Sequence, residues 1–178
     1  YKGNRKGTRK PIVYHPLVAW TKEKYDYEIY SDLEGDDTCG ILGSEDPDGI
    51  VISIDKDMKT VKGITLFNPD HVVSEQIATY WHMCQTLTGD TTDGYPGCKG
   101  IGIKTANKIL SEGLNWVNVF EAYDSKGYPS DDALVQGRVA KILDYKLFEA
   151  HKKGTPYGEC WEPDWSINLP FPTEVLDV

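Results

Sequence analysis

Apolar residues recur at three- and four-residue spacing through Asp70 to Leu87, at Val73, Ile77, Tyr80, Cys84 and Leu87. That period puts them on one face of an amphipathic helix. Two runs have a different texture. Gly49 to Asp55 (GIVISID) and Gly63 to Phe67 (GITLF) are short, apolar and rich in β-branched residues. They read as buried strands of a parallel sheet, the second stopped by Asn68-Pro69. The alternation in Tyr27 to Tyr30 predicts a further short strand. Helices are predicted over 16–25, from Glu34 through Leu42, over 103–112 with Gly113 as the stop, over 116–123, and over 131–151 as one long element. Residues 161–178, with Pro163, Pro170 and Pro172, read as an extended wrap. Helical segments between strands indicate an α/β layer architecture.

Composition changes this picture in one respect. The 178 residues are 39% hydrophobic, enough for a core, but the net charge is −9 and the pI near 4.9. An acidic chain is a poor candidate for gripping nucleic acid unless bound cations invert the local charge. The charge is also unevenly spread. Residues 1–10 and 98–108 carry Lys and Arg without a single acid, whereas acids gather in short clusters. The four cysteines form no CxxC pair, so zinc and a disulfide framework are not indicated, and free thiols fit a reducing cytoplasm. No apolar run approaches the roughly 20 residues that span a bilayer, and no signal peptide is visible.

Three acidic clusters stand at the ends of predicted elements: Glu34-Gly35-Asp36-Asp37, Asp55-Lys56-Asp57 and Asp90-Thr91-Thr92-Asp93. α/β proteins place functional groups beyond the carboxyl ends of their strands. Magnesium prefers carboxylate oxygens and water, and two such ions can assist hydrolysis of a phosphodiester. The competing reading is solvated surface acids, with Asp37 as a helix-capping acid.

The stretch GYPGCKGIGIKTANKIL (residues 94–110) is neither a P-loop nor a dinucleotide fingerprint. Ile103 separates Gly102 from Lys104, and Thr105 stands where the third glycine belongs. It reads instead as a tight glycine turn opening a helix. Lys99, Lys104 and Lys108 lie along one edge, a helix-hairpin-helix type of grip on a phosphate backbone. The alternative is an αα corner with glycine for steric reasons.

EGDD, VISIDKD and LTGDTTDGYPGCKGIGIKTANKIL, in this order, together with the opening YKGNR, resemble phage 5′–3′ exonucleases and the wider flap endonuclease family. The resemblance covers residues 1–112. It implies an α/β, PIN-like 5′-nuclease core, incomplete here, followed by a helical helix-three-turn-helix region that holds DNA. The expected layout is a partial nuclease core with an arch remnant over 1–69, the helical region over 70–160 and a tail over 161–178. The resemblance implies a metal-dependent 5′–3′ exonuclease or flap endonuclease acting on duplex DNA with a 5′ end or flap. Glu34, Asp36, Asp37, Asp55, Asp57, Asp90 and Asp93 would then hold two or more Mg²⁺ or Mn²⁺ ions. Tyr1, Lys2 and Arg5 resemble arch residues, with Lys2 and Arg5 stabilising the transition state electrostatically. Lys99, Gly100, Gly102, Lys104, Thr105 and Lys108 would meet DNA, and backbone carbonyls of that turn can hold a K⁺ ion. A phage protein of this kind would work in the host cell cytoplasm.

One departure stands out. Members of the family carry further aspartates on strands before the arch, and those strands have no counterpart here. Together with a start at Tyr1 inside a basic stretch, this reads as a boundary within a longer protein. A missing strand leaves a bare sheet edge, so an N-terminal partner polypeptide or a self-associated copy is expected to cover it. Two rivals follow: a catalytically incomplete DNA-structure-binding fragment, and a toxin-like ribonuclease of the related PIN fold. Of the remaining residues, the four histidines read as surface or core groups and Tyr80 and Trp81 as core. Tyr95 and Tyr128 are weak stacking candidates, and Lys141, Lys146, Lys152 and Lys153 read as a solvated face.

Overall fold

The structure, a computed structural model, describes residues 9–31, 33–66 and 71–173. Tyr1, Lys2 and Arg5 lie outside the described residues. The first helix, α1 (Tyr14–Lys24), has no buried residue. The stretch 27–30 forms no strand. Tyr27 and Ile29 are exposed, so the alternation there reflects no buried face.

Helix α2 (Gly35–Glu45) starts where the acids predicted. Glu34 is its N-cap in extended backbone, with Asp36 and Asp37 in the first turn, where negative charge meets the positive end of the helix dipole. Strands β1 (Ile50–Val51), β2 (Thr65–Leu66) and β3 (His71–Val72) form a small mixed sheet in the order β1-β2-β3. β1 runs parallel to β2, and β2 antiparallel to β3. The parallel pair matches the α/β expectation, but the strands are far shorter than the apolar runs. Val51 is buried, whereas Ile50, Ile52 and Ile54 are 54%, 79% and 107% exposed. The physical reason is position. β1 is the outer strand, and among the described residues no neighbour pairs with its other side.

Helix α3 (Glu75–Thr88) is the central element. It starts later than its apolar pattern because Ser74 caps it, accepting the Ile77 N–H at 3.2 Å. Val73 therefore packs from outside the helix. Around α3 lie α4 (Ile103–Ser111), α5 (Trp116–Asp124) and α6 (Ser130–Ala140). Tyr80, Met83, Leu87, Leu110, Leu114, Val119 and Tyr123 fill the space between them. Each such side chain contributes about 1.5–3 kcal/mol on burial. The Tyr123 hydroxyl donates to the Thr86 carbonyl at 2.6 Å, so its polar end is satisfied inside the core. A second cluster, with Val51, Met58, Val61, Ile64 and Leu66, sits under the sheet.

The long helix predicted over 131–151 is two helices. α6 ends at Ala140 and α7 (Tyr145–Lys152) begins after a four-residue link. Asp144 forces the break by capping α7, accepting the Leu147 N–H at 2.9 Å. Lys141 lies in the link and is not on a solvated face. Its side chain is 10% exposed, donates to the Thr60 carbonyl at 3.2 Å and pairs with Asp144 at 3.6 Å. The tail wraps the helical region as expected through residue 173. Leu169 bridges Leu114, and Trp161 packs against His82 and Trp116. His82 is a core residue. Burial, aided by Lys141, pushes its imidazole down to about 3, and the neutral ring bonds the Gly137 carbonyl at 2.7 Å.

Candidate functional site

The three acidic clusters are anchored by different local devices. In the first, Asp37 Oδ1 accepts the Leu143 N–H at 3.0 Å, tying α2 to the link between α6 and α7. In the second, Asp55 caps the 3₁₀ turn Lys56–Thr60 by accepting the Asp57 N–H at 3.0 Å. Asp55 itself is exposed and Asp57 is buried. Asp57 Oδ1 accepts from the Gln85 side-chain amide, which reaches it from the last turn of α3. In the third, Asp90 Oδ1 accepts the N–H groups of Thr92 at 2.7 Å and Asp93 at 3.3 Å.

These devices bring members of all three clusters to one place. A cleft of about 460 Å³ is lined by Glu34, Asp36, Asp37, Asp57 and Asp93, with Arg138, Lys141 and Tyr157 also in its wall. Asp55 and Asp90 are not among its lining residues. Asp90 is coupled to the cleft through Lys56, whose ammonium lies 2.6 Å from Asp90 Oδ2 and 3.3 Å from Asp57 Oδ1. The two carboxyls are driven apart in acidity. Burial pushes Asp57 above the usual range, with Lys56 opposing and Asp55 adding to the rise. At Asp90 burial is outweighed by Lys56 and by the Thr92 and Asp93 N–H groups, and the carboxyl falls below the usual range. Carboxyls whose surroundings separate their pKa values mark candidate chemistry.

The carboxylates of the cleft form one donor set. It is all oxygen, without His or Cys, and suits a hard divalent ion rather than zinc. Gln85 Oε1 is buried with no hydrogen-bond partner among the described residues, a spare acceptor beside Asp57. Among the described residues no three acidic, His or Cys side chains converge tightly enough to form a closed metal cage. An ion held by one or two carboxylates with water completing its shell fits this arrangement.

The glycine loop follows the same, C-terminal end of α3 and continues from the Asp90 turn. Its base is two strands of backbone in direct contact. A β-carbon at Gly97 (φ 62°) would overlap Gly89 N and the Thr88 carbonyl carbon. The Gly97 N–H donates to Gln136 Oε1 at 2.9 Å. Gly102 differs. Its backbone is ordinarily extended, and among the described residues a β-carbon there meets nothing within 4 Å. No neighbour among the described residues explains that glycine. Lys99, Lys104, Thr105 and Lys108 are exposed beside it, and an open cleft of about 680 Å³ runs past Lys99, Gly100, Gly102 and Tyr128. Tyr95 is buried and unavailable for stacking, because it forms the bridge that closes the Asp90 turn.

Comparison with known proteins bears on both regions. The chain is 33% identical to the exodeoxyribonuclease of Enterobacteria phage T3 over 190 residues, covering 83% of this chain and 63% of that protein. It is 34% identical to the exonuclease of Escherichia phage T7 over the same shares. The chain is homologous to these phage exonucleases. A flap endonuclease Xni, from Shewanella halifaxensis, is 26% identical over 149 residues, 75% of this chain and 59% of that protein. The chain thus spans somewhat less than two thirds of the length of its phage relatives. No protein-family model and no solved structure matches it.

In a homologue of exonucleases, several residues outside the predicted set gain interest. Lys56 was legible as the middle of a DKD triplet. Gln85, a polar residue inside the apolar stripe of α3, was the other signal in the sequence. Lys141 gave none, because a lysine on a predicted surface helix is ordinarily solvated.

Proposed function

We propose that this chain is the cation-binding and DNA-holding part of a metal-dependent 5′–3′ exonuclease or flap endonuclease that hydrolyses DNA phosphodiester bonds. The observation that carries the reading is the convergence of Glu34, Asp36, Asp37, Asp57 and Asp93, from three separate segments, on one cleft. Homology to phage exonucleases supports nuclease chemistry at that cleft. Asp57, with Asp90 and Asp93 across from Glu34 and Asp36, would hold Mg²⁺ or Mn²⁺. Such ions activate water and neutralise charge developing on the phosphate. Asp37 takes a supporting part by tying α2 to the Leu143 N–H, and Asp55 by capping the Lys56–Thr60 turn. Lys2 and Arg5 complete this reading as electrostatic stabilisers of the transition state, and Tyr1 as a contact to the 5′ strand.

The α3–loop–α4 segment is assigned to duplex DNA as a helix-three-turn-helix. Gly100 and Gly102 let a phosphate approach the backbone, and Lys99, Lys104, Thr105 and Lys108 meet the strand beside them. A K⁺ ion held by carbonyls of this turn belongs to the same reading. Among the described residues no helix is long and apolar enough to cross a membrane. We place the protein in a reducing cytoplasm, that of a host cell for a phage protein.

The test is incubation of the chain with a 5′-labelled DNA duplex. Release of labelled nucleotides with Mg²⁺, absent in EDTA, supports the reading, and a label that stays intact with Mg²⁺ at saturating chain contradicts it.

The edge of β1 that no described residue pairs adds a partner. Exposed Ile50, Ile52 and Ile54 beside unused strand hydrogen bonds form a template for another strand. With this chain alone in solution, a second copy supplies it. Light scattering is then expected to give a mass above the monomer, and Ile52→Lys to return the monomer. A wild-type chain that stays monomeric at tens of micromolar rules this out.

A further inference from the structure

Lys56 sits where a cation is wanted. Its ammonium bridges Asp90 Oδ2 at 2.6 Å and Asp57 Oδ1 at 3.3 Å, and Asp90 lies 34 positions from Lys56 in the chain. Each carboxylate has a second anchor besides the lysine. Gln85 holds Asp57, and the Thr92 and Asp93 N–H groups hold Asp90. The lysine is not fixed in the same way. It is the first residue of a short 3₁₀ turn, its side chain is 53% exposed, and its long stem can swing into water. Anchored acids and a mobile cation describe a site prepared for charge, with a replaceable occupant.

We propose that Lys56 is a built-in counter-ion that occupies the Asp57–Asp90 pair in the metal-free protein and competes with divalent ions for it. The inference rests on the metal-binding reading above and goes beyond it. Without positive charge, the buried Asp57 and the neighbouring Asp90 would repel each other and loosen the turn that carries Asp93. With Lys56 in place the acids keep their positions until an ion arrives. The ammonium and a divalent ion cannot use the same oxygen lone pairs, so binding must displace the lysine. Lys56 thereby raises the ion concentration at which the site fills and prevents weak, incidental occupancy. It is a positioning residue and touches no reacting atom.

Two substitutions separate charge from shape. Lys56→Met keeps the stem and removes the ammonium, whereas Lys56→Arg keeps a cation. Mn²⁺ binding is measured by the loss of the free-ion electron paramagnetic resonance signal, on protein whose fold is checked by circular dichroism. Lys56→Met is expected to bind Mn²⁺ about tenfold more tightly than wild type, the scale of one ion pair removed from competition. Lys56→Arg is expected to stay within about threefold of wild type. Mn²⁺ binding that Asp57→Asn weakens, but that Lys56→Met leaves equal or weaker, overturns the counter-ion while sparing the metal site. Absence of Mn²⁺ binding by wild type and Lys56→Met alike overturns both. If Lys56→Met fails to fold, Lys56→Gln takes its place: Mn²⁺ binding several-fold tighter than wild type supports competition, and equal or weaker binding counts against it.

Discussion

Asp57→Asn is expected to lower the rate of DNA cleavage about a thousandfold while leaving the fold and duplex binding intact. Asp57 is the one carboxylate of the candidate site that is buried, it faces the common cleft, and burial raises its pKa. Asparagine has nearly the same shape and can still accept from Gln85. It cannot supply a negative charge to a cation. Losing one charged ligand of an ion that stabilises the transition state removes several kcal/mol. At 1.36 kcal/mol per tenfold, about 4 kcal/mol gives the factor stated. Duplex affinity should change by less than about threefold, because phosphate contacts far from the cleft set it. Initial rates on a 5′-labelled duplex, with binding measured in parallel, decide the matter. A rate within threefold of wild type would remove Asp57 from the catalytic account.

The second large effect concerns stability. Gly97→Ala is expected to cost about 3 kcal/mol or more and to lower the melting temperature by about 10 °C. Gly97 adopts φ 62°, a region that costs an L-residue roughly 1–2 kcal/mol by itself. A methyl group there would also overlap the Gly89 and Thr88 backbone, which cannot move away as a flexible side chain could. Opening this contact would tilt the turn that holds Asp90 and Asp93, so cation binding should weaken with stability. Gly102→Ala is the control. Its backbone is ordinary and the space around it is open. A melting temperature for Gly97→Ala within 2 °C of wild type would show that the loop base is not as rigid as the geometry says.

How much of this was legible in the sequence depends on which force set each element. Helix α2 was readable because Asp36 and Asp37 act locally on its first turn. Helix α3 was readable because its apolar stripe is long, although Ser74 and not the stripe fixes its start. The parallel pairing of β1 and β2 was readable from their β-branched composition. The burial of Ile50, Ile52 and Ile54 was misread, because composition cannot tell an edge strand from a central one. The break between α6 and α7 was missed because helical periodicity runs through it, and only the Asp144 cap and the long-range bond from Leu143 to Asp37 interrupt it. The acidic clusters were visible as clusters. The division of labour among them was not, since Asp37 and Asp55 bond backbone groups that only the fold brings near. Lys56 itself was visible inside the DKD triplet, but its pairing with Asp90, 34 positions on, was not.

The central claim is that acids from three segments share one cation pocket, and it is tested most directly by a crystal structure of the chain soaked with Mn²⁺ and recorded at the manganese absorption edge. The account predicts an anomalous peak in the cleft bounded by Glu34, Asp36, Asp57 and Asp93, with Lys56 turned away from Asp57. A map with no peak there, and with those carboxylates facing separate regions of solvent, would contradict it.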